Sequence, residues 1–179
     1  MRTVNEVTQD LAKIIAFYSR ALEQYNDEQF NLKPSEKAWS VGQLYEHLVS
    51  SAGFFLYQVK NCLTQRKGST EGGKNEFGEK AYQHNSFPPI KIEIPEGWRG
   101  PEPVAQPREA YREALAGVLA QYQALAEQVQ QDGGAYKTQH LAWGMLRAGE
   151  WFQLGEMHFR HHLRQIKDLN TFLGIALSQ

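Results

Sequence analysis

The chain contains 179 residues, 41% of them apolar, and carries a formal net charge of −1. This length suits one domain with a sizeable core, which we expect to span residues 1–179. The small net charge and the lack of a basic stripe argue against nucleic-acid binding, and the lack of any run of about 18 apolar residues argues against a membrane span. Cys62 is the only cysteine, which excludes an internal disulfide and a multi-cysteine zinc site. The polar N-terminus has no apolar signal segment, so we expect a cytoplasmic protein.

Two long amphipathic helices are predicted in the first third of the chain. The first spans residues 4–28, where apolar residues are spaced by three and four. The second opens in the segment WSVGQLYEHL and continues to about residue 66. Ser40 and Gln43 have the spacing of a capping box, in which each side chain bonds to the backbone of the other residue. These signals place the start of the second helix at Ser40.

The stretch 67–106 breaks this helical pattern. Six of the seven prolines lie in it or directly after it, and residues 90–94 (IKIEI) alternate like a short strand. An irregular connection of this length in a compact domain is usually functional or disordered. Phe87 and Trp98 favour a connection that packs over the body of the protein. We therefore regard it as a candidate cover for a pocket and a candidate subunit contact.

The second half of the chain predicts two more long helices. The third begins near Pro107 and ends at Asp132, where two glycines follow. The segment 138–150 is ambiguous, and a short helical turn is the prediction there. The fourth helix runs from Glu150 to Leu173. Four long helices with one apolar seam each predict an all-α four-helix bundle with a long irregular connection between helices two and three. Because that connection is long, the topology need not be a simple up-down-up-down bundle.

Half of the six histidines lie in one segment of the fourth helix, MHFRHHLRQI at 157–166. At about 100° per residue, His158 and His162 lie on either side of the middle of the apolar seam, one turn apart. His161 lies at the edge of that seam. On the second helix, His47 lies on the core-facing side. Three neutral imidazoles from two helices would form a metal site with an open position for water.

A purely structural role is the alternative for these histidines. A single histidine on an apolar face is more often a core residue bonded to a carbonyl, and this is the more frequent role for His47 taken alone. It explains the pair on the fourth helix less well, because two buried imidazoles would each need a partner. The spacings H-E-x-x-H and E-x-x-H do not occur. Their absence excludes a zinc protease of that type and argues against a ferritin-like di-iron bundle.

Three motifs, WSVGQLYEHL, HLAWGMLRAGEW and HFRHHLRQI in that order, resemble those of the DinB/YfiT-like superfamily of metal-binding four-helix bundles. The resemblance covers nearly the whole chain. It implies that the metal ligands are one histidine of the second helix and the two outer histidines of the late motif, which are His47, His158 and His162 here. A family-typical proline after His140 is replaced by Leu141. Some members of the family are thiol S-transferases or isomerases that use bacillithiol, mycothiol or glutathione, and many have no established reaction.

The leading hypothesis is therefore a metal-dependent enzyme. A divalent ion on the three histidines, zinc or nickel first and iron or manganese next, would activate a water or a thiol for hydrolysis or thiol transfer. Gln165, one turn beyond the last ligand, is a candidate hydrogen-bond partner of the site. His161 and Trp143 are candidates to line the pocket, and His84 or Trp98 could approach the open metal positions. No residue is assigned as catalytic acid or base.

Two alternatives stay open at this point. The bundle could bind a metal or a small ligand without turnover, which a positioned acid or base beside the metal would argue against. It could also be a structural bundle that forms a homodimer, which the metal content of purified protein would test. The expected partners are a small-molecule substrate, with low-molecular-weight thiols among the candidates, and a second copy of the chain. Neither nucleic acid nor a membrane is an expected partner.

Overall fold

The computed structural model describes residues 2–87 and 101–176. Over these residues the chain is mostly helical, with one small two-stranded hairpin, and the prediction of an all-α four-helix bundle is confirmed. None of the described helices is both long and apolar enough to cross a membrane. The elements are, in chain order, α1 (Val4–Leu22), α2 (Asp27–Asn31), α3 (Val41–Leu63), α4 (Glu76–His84), α5 (Ala110–Gln131), β1 (Lys137–His140), β2 (Gly144–Arg147), α6 (Ala148–His161) and α7 (Leu163–Leu173).

The four corners of the bundle are α1, α3, α5 and α6. Helix α1 packs against α5 and α6, and α3 packs against the same two helices. The first two long helices of the chain therefore occupy opposite corners instead of lying side by side. The most extensive helix–helix contact is between α3 and α6. These two helices carry the histidines singled out in the sequence.

The predicted starts of α3 and α5 agree with the structure. Ser40 Oγ accepts a hydrogen bond from the Gln43 backbone N–H at 3.2 Å, and Gln43 Oε1 accepts one from the Ser40 N–H at 3.0 Å. This confirms the predicted capping box and fixes where α3 begins. Helix α5 begins at Ala110, three residues after Pro107, and its whole apolar stripe is buried. The stripe consists of Tyr111, Leu115, Val118, Tyr122, Leu125 and Val129.

The first helix ends earlier than predicted. Helix α1 stops at Leu22, and the short helix α2 follows after a break. The Asn26 side chain accepts from the Gln29 backbone N–H at 2.8 Å, and Gln29 Oε1 accepts from the Asn26 N–H at 3.1 Å. This second capping box starts a new helix, which is why the helix predicted over residues 4–28 does not continue to its end.

The fourth helix also differs from the prediction of one continuous segment. It consists of α6 and α7, which meet at His162. The helical hydrogen bonds nevertheless continue across the junction, from the His162 N–H to the His158 carbonyl at 3.2 Å and from the Ile166 N–H to the His162 carbonyl at 3.0 Å. The interruption is therefore confined to one residue, and that residue is a candidate ligand.

The predicted helical turn within residues 138–150 is wrong, because this segment starts with the hairpin β1–β2. Gly144 has a φ of +85°, which favours glycine, and a Cβ at this position would lie 2.6 Å from a backbone oxygen of the preceding connection. His140 Nδ1 accepts the backbone N–H groups of Ala142 and Trp143, each at 3.1 Å. These local bonds hold the turn and lead the chain directly into α6.

The described first part of the connection, residues 67–87, contains helix α4, which was not predicted. Before that helix, the connection pairs with the hairpin, and Ser69 and Lys137 exchange two backbone hydrogen bonds of 2.8 and 2.9 Å. The connection is thus attached to the element that precedes α6. The predicted strand at 90–94 and the side chain of Trp98 lie outside the described residues.

Candidate metal centre

The structure brings His47, His158 and His162 together at the contact between α3 and the α6–α7 junction. One ring nitrogen from each histidine lies within 4.8 Å of the other two. The Nε2 atoms of His47 and His158 are 3.0 Å apart. His158 and His162 are buried and His47 is half-buried. Within residues 2–87 and 101–176, these form the sole group of three side chains with this metal-binding geometry.

Burial keeps the three imidazoles neutral. It lowers the pKa of His47 to about 4 and that of His162 to about 3, and it lowers the pKa of His158 well below its usual value. Repulsion between the neighbouring histidines adds to the effect of burial in each case. A neutral imidazole has a free nitrogen lone pair, so the form present at neutral pH is the form that binds metals.

Gln165 is a hydrogen-bond partner of His162. Its Oε1 lies 2.8 Å from His162 Nδ1, and an amide oxygen only accepts hydrogen bonds, so Nδ1 carries the proton. The Nε2 lone pair is then left for a ligand. Gln165, which the sequence proposes as a hydrogen-bond partner of the site, thus contacts His162, and its support of a metal ion stays a prediction.

The distances and donor types fit a divalent ion. Two imidazole nitrogens that bind one ion at about 2.0–2.1 Å, at angles between 90° and tetrahedral, lie about 2.9–3.3 Å apart. The 3.0 Å between the Nε2 atoms of His47 and His158 falls in this range. Three protein ligands leave coordination positions for a water or a substrate.

Aromatic rings from three different segments surround the histidines. Trp39 lies 4.9 Å from His47 between ring centroids, Phe55 lies 5.4 Å from His158, and Phe87 lies 6.0 Å from His158. These three rings were not predicted as neighbours of the histidines. A signal existed for two of them, because Trp39 and Phe55 stand eight residues, about two helical turns, on either side of His47. Phe87 gave no such signal, since its position depends on the path of the connection.

The other predicted site residues lie at varying distances from the histidines. His161 is exposed, and its ring is 5.1 Å from His162 and 4.8 Å from Phe87. Trp143 is buried and packs 5.0 Å from Phe87, and no ring contact joins it to the three central histidines in the described part of the chain. His84 is exposed at the end of α4, with no described contact to the site.

We expect the metal-free protein to lose stability as the pH falls below about 6.5. The folded state lowers the pKa of the buried histidines, so as the pH falls the unfolded chain takes up protons first, which lowers its free energy relative to that of the folded state. Stability is complete above pH 6.5 and falls by up to about 1.4 kcal/mol per pH unit for each histidine that protonates only on unfolding. Urea unfolding of chelator-treated protein between pH 7.5 and 4.5 measures this slope.

Variants distinguish the contribution of these histidines to the slope from that of carboxylates that titrate in the same pH range. His158→Gln is expected to reduce the slope, and His84→Gln, at an exposed position, is expected to leave it unchanged. Equal slopes for wild type and His158→Gln would contradict the prediction.

Comparisons with known proteins identify a family and a similar fold. A sequence profile described as the DinB superfamily matches residues 11–166. A search of the curated proteins found no match. Among solved structures, the chain is similar to YfiT from Bacillus subtilis, described as a probable metal-dependent hydrolase with an unusual four-helix bundle topology. That match has a TM-score of 0.65 and 18% identity and covers 97% of this chain and 89% of the other. At this identity the likeness shows the fold.

Proposed function

The chain belongs to the DinB superfamily, and from this premise we propose that it is a metal-dependent enzyme that binds one divalent ion through His47, His158 and His162. The observation that carries the proposal is the convergence of three neutral imidazoles within 4.8 Å of one another. The similarity to YfiT, itself described as a probable metal-dependent hydrolase, supports the same reading.

The surroundings of the histidines determine what the site can do. Burial, followed by the neighbouring histidines, lowers the pKa values of all three histidines, and the hydrogen bond to Gln165 opposes this by raising the pKa of His162. No carboxylate contacts these rings in the two described ranges. Three neutral ligands would leave the charge of a divalent ion uncompensated, so the ion would strongly favour an anionic ligand and lower the pKa of a bound water or thiol.

Hydrolysis and thiol transfer both use this property, and they are the two reaction classes that we propose. The nucleophile would be a water in the first and a low-molecular-weight thiol in the second. Imidazole ligands suit zinc and nickel, and iron as well, whereas manganese prefers oxygen ligands. Zinc or nickel is therefore our first assignment, with iron or manganese next. A cytoplasmic location and a homodimer remain parts of the proposal.

A non-catalytic metal-binding bundle is the second candidate function. One observation favours it, namely that the described residues place no carboxylate beside the three histidines to act as a general base. Such a protein would bind the ion with the same ligands and show no turnover. Activity, and not metal content, distinguishes the two candidates.

The decisive experiment is elemental analysis of untagged protein, followed by assays with low-molecular-weight thiols and electrophiles and with simple esters. We expect one divalent ion per chain and metal-dependent turnover in at least one assay. Protein that neither contains a stoichiometric ion nor takes one up after chelator treatment would overturn the proposal. Stoichiometric metal without turnover would favour the second candidate.

Replacing Gln165 by leucine is expected to weaken metal binding by about 10- to 100-fold without changing the one-to-one stoichiometry. The substitution removes the acceptor that holds His162 Nδ1–H, so the ring loses its fixed orientation and tautomer. Competition with a chromophoric chelator measures the affinity.

Two further variants control for this effect. Gln165→Glu keeps an acceptor at the same place and is expected to retain most of the affinity. Gln121→Leu, at an exposed position on α5, is expected to leave it unchanged. An unaltered affinity in Gln165→Leu would show that the hydrogen bond does not support the site.

A further inference from the structure

The aromatic ring of Phe87 lies beside the candidate metal centre. Its ring is 6.0 Å from His158 and 4.8 Å from His161, with an angle of only 31° between the planes of the latter pair. It also packs 5.0 Å from the buried ring of Trp143. Phe87 itself is half-buried. It therefore has a packing partner on the body of the protein, and its side chain is not fully buried.

A polar network fixes the backbone two residues before this ring. Asn85 ends α4 in the left-handed conformation, with a φ of 48°. Its carbonyl accepts a hydrogen bond from the Arg160 guanidinium at 2.7 Å, and its Oδ1 accepts one from Gln153 Nε2 at 2.9 Å. Arg160 in turn pairs with Glu156 at 2.7 Å, and the Glu156 side chain is 1% exposed.

Burial makes such a network costly to assemble, because the carboxylate of Glu156 must be compensated by nearby cations. Arg160 is one of these cations, and Arg2 is the second, with its Nη1 at 3.5 Å from Glu156 Oε2. The exit of the chain from α4 is therefore fixed with respect to α6. Since α6 carries His158, the same network fixes Phe87 with respect to the metal site.

The chemistry around this ring restricts what can bind there. Phe55 and Phe87 present apolar surface to His158, and the described side chains add no charged group in contact with the three histidines. A polar or charged substituent placed against these rings would lose water without gaining a hydrogen-bond partner from them. An aromatic substituent would gain offset or edge-to-face contacts.

We infer that Phe87 determines specificity, and that the substrate presents an aromatic or similarly flat apolar group beside the group that binds the metal. This inference rests on the proposed metal-dependent function and deepens it, because it names a substrate class. Phe87 acts here by contact with the substrate and has no part in holding the ion.

Two hydroxamates test the inference, because they bind a metal through the same two oxygens and differ in one substituent. Acetohydroxamate carries a methyl group and benzohydroxamate carries a phenyl group. Protein loaded with Co(II) is titrated with each probe, and the visible absorption of the metal reports both Co(II) uptake and probe binding. The measured quantity is the ratio of the two dissociation constants, so the intrinsic affinity of a hydroxamate for the ion cancels between variants.

Wild type is expected to prefer benzohydroxamate, and Phe87→Ala is expected to reduce this preference about tenfold, the effect of one good aromatic contact. Phe87→Leu keeps an apolar side chain without the ring and is expected to lose about threefold. Phe172→Ala removes an exposed phenylalanine of α7 and is expected to leave the ratio unchanged. Far-UV circular dichroism reports whether each variant is folded.

The failure of this inference is distinguishable from the failure of the proposed function. If wild type, Phe87→Ala and Phe87→Leu bind Co(II) one to one and give the same ratio, the specificity role is overturned and the metal site stands. If wild type takes up no Co(II), the proposed function fails, and the inference fails with it. Should Phe87→Ala not fold, Phe87→Leu decides, and a wild-type ratio in that variant counts against the inference.

Discussion

Replacement of His162 by alanine is expected to abolish one-to-one binding of a divalent metal ion. The substitution removes one of three nitrogens that lie within 4.8 Å of one another, and the remaining pair, His47 and His158, makes a weak site. Structural zinc sites with four ligands bind with apparent free energies of about 10–16 kcal/mol, or roughly 3 kcal/mol per ligand. Loss of one ligand should therefore weaken binding about 100-fold or more. Metal content after gel filtration and isothermal titration of the apo protein measure the effect.

The neighbouring histidine provides a matched control for this variant. His161→Ala changes the same residue type one position away, but His161 is exposed and is not one of the three converging side chains. We expect it to retain one ion per chain. If His162→Ala binds one ion with wild-type affinity, His162 is not a ligand. If His161→Ala loses the ion instead, the ligand in the late motif is His161 and not His162.

Helical periodicity explains why so much of the candidate site could be predicted from the sequence. The rotation of about 100° per residue placed His158 and His162 together on the apolar seam and His161 at its edge, and the structure shows the first two buried and the third exposed. The capping box at Ser40 fixed the start of the helix that carries His47. The face of a helix on which a residue lies and the residue at which a helix begins both depend on residues close in sequence, so the sequence pattern predicts them.

The parts that could not be predicted depend on contacts between distant segments. The hairpin at β1–β2 needs Gly144 at positive φ against the preceding connection, and a glycine in a short polar segment does not show which partner it will approach. Phe87 reaches the site because Asn85 bonds to residues of α6 about 70 positions later in the chain. The sequence predicted that Phe87 would pack over the body, but it contained no pattern that indicated the histidines as its neighbours.

Gly155→Ala is expected to destabilise the protein by about 3 kcal/mol or more. Gly155 lies on α6, and a Cβ at this position would stand 1.8 Å from the hydroxyl oxygen and 2.6 Å from Cζ of Tyr122. Tyr122 is fully buried on α5 and packs 4.9 Å from Phe152 between ring centroids, so its ring cannot shift without disturbing this core packing. Because α5 and α6 occupy opposite corners of the bundle, this glycine lets the tyrosine reach across the core.

Thermal unfolding followed by circular dichroism measures this effect, and a decrease in Tm of roughly 6–12 °C is expected for a chain of this size. Gly117→Ala is the matched control, since it makes the same substitution in α5, where no described atom beyond the adjacent residues and the helix's own backbone lies within 4 Å of the new Cβ. It is expected to stabilise the protein by about 0.5–1 kcal/mol, the usual preference of a helix for alanine over glycine.

The double variant Gly155→Ala with Tyr122→Phe tests whether the Tyr122 hydroxyl causes the destabilisation. The Tyr122 hydroxyl is buried without a hydrogen-bond partner among the described residues, so its removal alone should be neutral or stabilising. In the double variant the oxygen at 1.8 Å is gone but Cζ at 2.6 Å remains, so we expect part of the lost stability to return, as a coupling energy between the two sites. If the two effects simply add, the contact between this glycine and the tyrosine hydroxyl does not set the packing of the core. If Gly155→Ala is as stable as Gly117→Ala, α5 and α6 do not approach each other at this point.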